Sequence, residues 1–188
     1  RFLAVWQRRT SVCRTARAVL GHRRLSIIDV TRGAQPMSTP DGAFHIVFNG
    51  EVYNHRSLRP ALEATGVRFR THADTEVVLE AFRAYGPSCV ERFEGMFAFA
   101  VYDQRAGTLC IARDRLGKKP LYYAVFDGVL HFGSEIKALT ASPLWNGDID
   151  PDAVESYLSL GYGIAPRTMY RHVRLLEPAH VMTVRDGQ

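Results

Sequence analysis

The run GMFAFAVY at residues 95–102 is the longest apolar stretch of the chain, and in MFAFAVYD neither face of a strand would be polar. A strand with one face in water alternates apolar and polar residues; one that is apolar throughout needs cover on both faces. The run is far too short to cross a bilayer. The chain must therefore supply a layer above this strand and another below it. At 188 residues it is long enough to build such a core as one domain, without help from disulfides or metal.

The flanking text provides candidates for those layers. AVLGHRRLSIID is strand-like, and TRGAQPMSTPDG follows it as a loop. Phe44, Ile46 and Phe48 alternate in a strand that runs into Asn49-Gly50, a dipeptide typical of tight hairpin turns. SLRPALEATG predicts a helix closed by Gly66, and VRFRT a short alternating strand. Asp74 opens a second helix, where Val77, Val78, Ala81, Phe82 and Tyr85 recur at helical spacing until Gly86-Pro87 stops it. LCIARD, PLYYAVF and VLHFGSE read as strands, with turns at Ala106-Gly107 and Asp127-Gly128. EIKALTAS is a short helix, and Asp150-Pro151 starts another. The tail forms two short strands around Glu177-Pro178. Many strands with few helices predict sheets stacked on each other and covered by helices.

Charge and cysteine content narrow the function. The net charge of +5 comes from one end: Arg1, Arg8, Arg9, Arg14 and Arg17 fall in residues 1–20 with no acid, and the rest of the chain is balanced. A nucleic-acid surface would spread its basic residues through the folded domain, so none is expected. Residues 1–18 read as an irregular basic segment. No secretory h-region or membrane span is present, and Cys13, Cys89 and Cys110 lack CxxC spacing. Free thiols in a cytoplasmic protein are the expectation. The histidines and cysteines show no metal-ligand spacing.

Single residues have plain explanations. Asn49-Gly50 is a hairpin turn, Asp74 a helix N-cap, Arg24 a surface charge, and Arg113, Asp114 and Arg115 a solvated charged turn. The ordered set of blocks is more specific. LGHRRLSIID, GAQPM, FNGEVYN, THADTEVVLEAF, FEGMFAFAVYD, ARDRLGKKPLYY and FGSEIKAL together resemble the glutaminase domain of glutamine-hydrolysing asparagine synthetases. That domain is a class II glutamine amidotransferase, and the likeness is strongest over residues 19–140.

The resemblance implies an α+β fold: an αββα sandwich of the N-terminal-nucleophile hydrolase type, with mainly antiparallel stacked sheets covered by helices. It implies attack of a cysteine thiolate on the side-chain amide of L-glutamine, releasing ammonia. The Asn49 side-chain amide and Gly50 N–H would form the oxyanion hole. Arg24 would pair with the α-carboxylate, and Asp74 with the α-ammonium, helped by the main chain at Gly50-Glu51. The ARDRLGKKPLYY block carries no assigned catalytic part and reads as architecture.

The family's Met-Cys-Gly start is missing, and Cys13 is internal, without a free α-amine. No SGGxDS-type ATP loop occurs either. The expected organisation is an atypical segment 1–18, a glutaminase domain 19–145, and a part 146–188 leading to an absent synthetase domain, in a fragment that is itself inactive. No cofactor is expected in this domain, with ATP and Mg²⁺ in the absent one. The partners would be glutamine, that synthetase domain and a second copy in a homodimer, with no nucleic acid or membrane. Two alternatives remain: a sister amidotransferase of a biosynthetic or surface-polymer cluster with another acceptor, and a non-catalytic glutamine-binding module.

Overall fold

The structure, a computed structural model, describes residues 2–3, 11–15, 17–22 and 33–185. Two sheets stack face to face. The first has the order β10-β8-β9-β1-β3-β2 and the second β11-β7-β6-β5-β4. Their strands are β1 (Phe2–Leu3), β2 (Ser11–Arg14), β3 (Ala18–His22), β4 (Met37–Ser38), β5 (Phe44–Val52), β6 (Gly95–Asp103), β7 (Thr108–Arg113), β8 (Tyr122–Phe126), β9 (Val129–Gly133), β10 (Arg174–Leu175) and β11 (Val181–Arg185). Every neighbouring pair is antiparallel except β9-β1 and β1-β3.

Strand β6 takes the central place that its composition demands. Phe97, Phe99 and Val101 point to one side, where Val77, Val78 and Phe82 of helix α2 (Asp74–Tyr85) and Leu62 of helix α1 (His55–Glu63) cover them. Ala98, Ala100 and Tyr102 point to the other, against Leu20, Leu130 and Phe132 of the first sheet. Small residues on the sheet-facing side let the two sheets approach, while the aromatic rings fill the wider gap under the helices. The first sheet's outer face packs Ala124 and Phe126 against Leu139 and Val173. A third helix, α3 (Pro151–Leu160), starts as expected, with the Asp150 carboxylate accepting the Asp152 N–H at 3.2 Å. No helix among the described residues is long and apolar enough to cross a membrane.

Five expectations need correction. Asn49-Gly50 is no hairpin turn: β5 runs straight through it, with Asn49 opposite Ala98 and Gly50 opposite Phe97. VRFRT is no strand. The buried Glu76 carboxylate takes the Arg70 and Thr71 N–H groups at 2.9 and 2.7 Å, so no partner strand is needed there. The segment 1–18 is not irregular throughout, because β1 lies between β3 and β9 and β2 pairs with β3. Exposed Arg14 suits β2, an edge strand, where one face meets solvent. The loop TRGAQPMSTPDG also contains β4, paired with His45 and Ile46.

The fifth concerns Arg113, Asp114 and Arg115: only Arg115 lies exposed in a turn. Arg113 and Asp114 are buried, at 8% and 1% exposure. Arg113 donates to the carbonyls of Lys119, Leu176 and Gly117. Asp114 accepts N–H groups from Phe97, Leu116, Lys118 and Lys119, at 3.0–3.2 Å. Burial pushes its carboxyl up, but the donors from Lys119, Lys118, Phe97 and Leu116 together outweigh this and hold it below its ordinary value. The folded form then binds fewer protons than the unfolded chain in acid, so this stability is present above about pH 4 and lost as pH falls through the folded value. Asp114→Asn is expected to cost about 2 kcal/mol at pH 7, because an amide offers one acceptor where the carboxylate offered several. Urea melts should show that cost shrinking toward pH 3. A cost that does not depend on pH would deny the charge any part.

Candidate active site

The site begins with the parity of strand β5. Phe97 exchanges hydrogen bonds with Asp114 on the β7 side: its N–H goes to Asp114 Oδ2 (3.2 Å), and its carbonyl accepts the Asp114 N–H (2.8 Å). Gly50, its register partner, therefore turns its own N–H and C=O away from β6 toward the opposite edge. Phe48 and Val52 share that direction. The partner strand β4 reaches only Ile46, and beyond it side chains replace the ladder. Gln35 Oε1 accepts the Phe48 N–H at 2.6 Å, and the Phe48 carbonyl accepts from His22 Nε2 at 3.1 Å. Asp74 Oδ2 accepts the Val52 N–H at 3.1 Å. Gly50 lies between these two satisfied residues, with its N–H and C=O directed to the same edge.

Only glycine fits there. Gly50 has φ +144°, and a Cβ on it would lie 2.1 Å from the Met96 carbonyl oxygen. Gly95 is its counterpart, where a Cβ would lie 2.1 Å from the Glu51 carbonyl oxygen. The two strands approach so closely that neither backbone can carry a side chain at these points.

Asn49 points to the other side of β5, between the sheets. Its Nδ2 donates to Ser134 Oγ at 3.0 Å. Both residues line a cavity of about 280 Å³, together with Val47, Ala98, Phe132 and Leu121. Glu51 lines a second space of about 670 Å³ with Tyr53, His55, Arg56, Arg59 and His72. Burial pushes the His55 imidazole below its ordinary value, against the pull of the Asp74 charge, and so favours its neutral form.

Asp74 is buried as the first residue of α2, whose N-cap is Ala73 rather than Asp74 itself. Its Oδ1 accepts the Thr75 N–H at 2.8 Å while Oδ2 holds Val52. A carboxylate has about four acceptor positions, so two remain. The structure thus brings Asn49, Gly50 and Glu51 together on one strand and ties Asp74 to its end. It places Asn49 and Glu51 in different cavities. Arg24 lies outside the described residues.

None of the three cysteines lines the cavity that holds Asn49. Burial pushes the Cys89 and Cys110 thiols up to about 12 and about 11. It also raises that of half-buried Cys13, whose Sγ is 3.4 Å from His45 Nδ1. In the folded chain Cys89 and Cys110 are expected to resist a disulfide reagent at pH 8 and to react only on denaturation, with any native reaction confined to Cys13. Fast native labelling of two or more thiols would contradict these burial assignments.

Sequence reading missed three residues of this site. Ser134, Gln35 and His22 stood inside the FGSEIKAL, GAQPM and LGHRRLSIID blocks without being singled out. Only GAQPM offered a signal, because Gln35 is the one polar residue in an otherwise apolar block.

The fold finds its counterpart among solved structures. Glutamine phosphoribosylpyrophosphate amidotransferase from B. subtilis, complexed with ADP and GMP, superposes with a TM-score of 0.55 at 19% identity, over 89% of this chain and 34% of that one. This is the αββα sandwich of the N-terminal-nucleophile amidotransferases. A family model described as "Glutamine amidotransferase domain" matches residues 8–188, and the chain belongs to that family. Asparagine synthetase [glutamine-hydrolyzing] 1 of Bacillus subtilis (strain 168) is 42% identical over 168 residues, which are 89% of this chain and 26% of that protein. Asparagine synthetase B [glutamine-hydrolyzing] of Escherichia coli (strain K12) is 43% identical over 123 residues, 65% of this chain and 22% of that protein. The chain thus spans about a quarter of the length of these curated relatives.

Proposed function

We propose that this chain is the glutamine-hydrolysing part of an asparagine synthase-type enzyme, which releases ammonia from L-glutamine for the ATP-dependent amidation of aspartate. The observation that carries this reading is the pair of adjacent donors on β5: the Asn49 amide, and the Gly50 N–H on an edge where, among the described residues, no side chain replaces the missing ladder partner. When a thiolate attacks the side-chain amide, the carbonyl oxygen becomes negative and needs donors fixed in advance. Asn49 and Gly50 supply them. The free acceptor positions of Asp74 take the substrate ammonium with Glu51 beside it, and Arg24 takes the carboxylate.

In this reading residues 19–145 are the glutaminase domain and 146–188 its continuation toward a synthetase domain, where ATP and Mg²⁺ act. The protein works in the cytoplasm as a homodimer. Glutamine titrated into labelled protein should move the Gly50, Asn49 and Glu51 resonances saturably, while the α-N-acetyl derivative should not. Movement with neither compound would count against a glutamine site. The 188 residues alone are expected to release no ammonia above background, because burial keeps the three thiols protonated and none lines the Asn49 cavity. Release that disappears on Cys13→Ser would make Cys13 the nucleophile instead.

A further inference from the structure

We propose that Ser134 is a positioning residue for Asn49: its hydroxyl holds the amide plane so that one Nδ2 hydrogen is kept for the ligand. The role rests on the glutaminase reading, but the contact itself can be tested separately.

The last torsion of an asparagine is broad and roughly two-fold, so a free Asn49 amide would present its NH2 and C=O ends to the cavity in turn. Only the NH2 end can stabilise an oxyanion; the carbonyl end would repel it. Ser134 follows β9 in the first sheet, whereas Asn49 lies on β5 in the second, 85 residues away in sequence. The bond therefore ties the two sheets together across the cavity that both residues line.

Ser134 is itself held in place. It is 9% exposed, and it follows Gly133, where a Cβ would lie 3.0 Å from the Ala138 Cβ. Close contact of Gly133 with the 3-10 turn Ile136–Ala138 restricts the backbone that carries the hydroxyl. An amide nitrogen has two hydrogens. With one on Ser134 Oγ, the other stays in the same plane and is available to a ligand without reorganisation, as a transition-state donor requires.

The test is nuclear magnetic resonance of the Asn49 side-chain amide in the 188-residue chain. Ser134→Ala should move the two amide proton resonances together and speed their exchange with solvent about fivefold, the factor expected for a hydrogen bond of ordinary net strength. Ser134→Thr, which keeps the hydroxyl, should restore the native pattern; this separates the bond from a packing effect. Unchanged amide resonances and exchange in Ser134→Ala, with its backbone spectrum native, would overturn the proposal. So would failure of Ser134→Thr to restore a changed pattern. Adding saturating glutamine to the native chain tests the other reading: no movement at Gly50 or Asn49 would sink the glutamine site, while the Ser134 result would remain readable.

Discussion

Gly50→Ala is expected to cost about 4 kcal/mol, from overpacking and backbone strain of roughly 1–3 kcal/mol each. The new methyl would sit 2.1 Å from the Met96 carbonyl oxygen and 2.7 Å from the Phe97 Cα, both backbone atoms of a central strand that cannot rotate away. To make room, β5 and β6 must part where their pairing is otherwise continuous from Phe44 to Val52. In a domain of this size such a loss lowers Tm by about 10 °C. Gly42→Ala is the control. That residue also has a positive φ (+66°), but its added Cβ meets nothing within 4 Å. It should cost about 1 kcal/mol. If the two variants melted within a degree of each other, crowding between β5 and β6 would not be the reason for glycine at position 50.

The second large effect is on rate. In a glutamine-hydrolysing form of the protein, made by placing a Met-Cys-Gly start ahead of Val19 at the family spacing, Asn49→Ala is expected to reduce kcat about 10²–10³-fold with little change in KM. In the proposed reading its amide acts where charge develops, so its loss is felt in the transition state. Asp74→Asn should do the reverse. The substrate ammonium is charged in ground and transition states alike, and loss of uniform binding raises KM at nearly constant kcat. Circular dichroism must show both variants folded, because Asp74 also holds the Val52 and Thr75 N–H groups. A raised KM at unchanged kcat in Asn49→Ala would make Asn49 a binding residue and end the oxyanion-hole assignment.

The layered fold was legible because burial on both faces leaves a mark in composition: the MFAFAVYD run could only be a covered strand. The Asn49-Gly50 turn was misread because an Asn-Gly pair reverses the chain only when the strand ends at it. Here β5 continues through Glu51 and Val52, and glycine is required by a neighbouring backbone rather than by a reversal of chain direction. Charge misled at Arg113 and Asp114, since nothing local reveals that seven backbone groups will converge on them. Glu76 took the place of a strand partner for VRFRT in the same unreadable way. The candidates Asn49, Gly50, Glu51 and Asp74 came from an ordered set of blocks. Ser134 could not be found that way, because its contact with Asn49 appears only when two sheets meet.

The anchoring of Arg113 has a consequence for anyone cutting or fusing this chain. Its guanidinium grips Leu176, and a few residues later β11 adds itself to the edge of β7, from Val181 opposite Ala112 to Arg185 opposite Thr108. Leu176, Met182 and Val184 also enter the layer between the sheets. Residues 174–185 are therefore not a tether that can be exchanged for a synthetic linker. A chimera joined at position 145 would strip β11 from one sheet and β10 from the other, with Leu176, Met182 and Val184 from between the sheets and Val173 from outside them, whereas a junction placed after Arg185 leaves the sandwich whole. Grafting this module onto another synthetase should respect the hydrogen-bonded boundary, even though the sequence around Pro143 and Gly147 looks like the more natural seam.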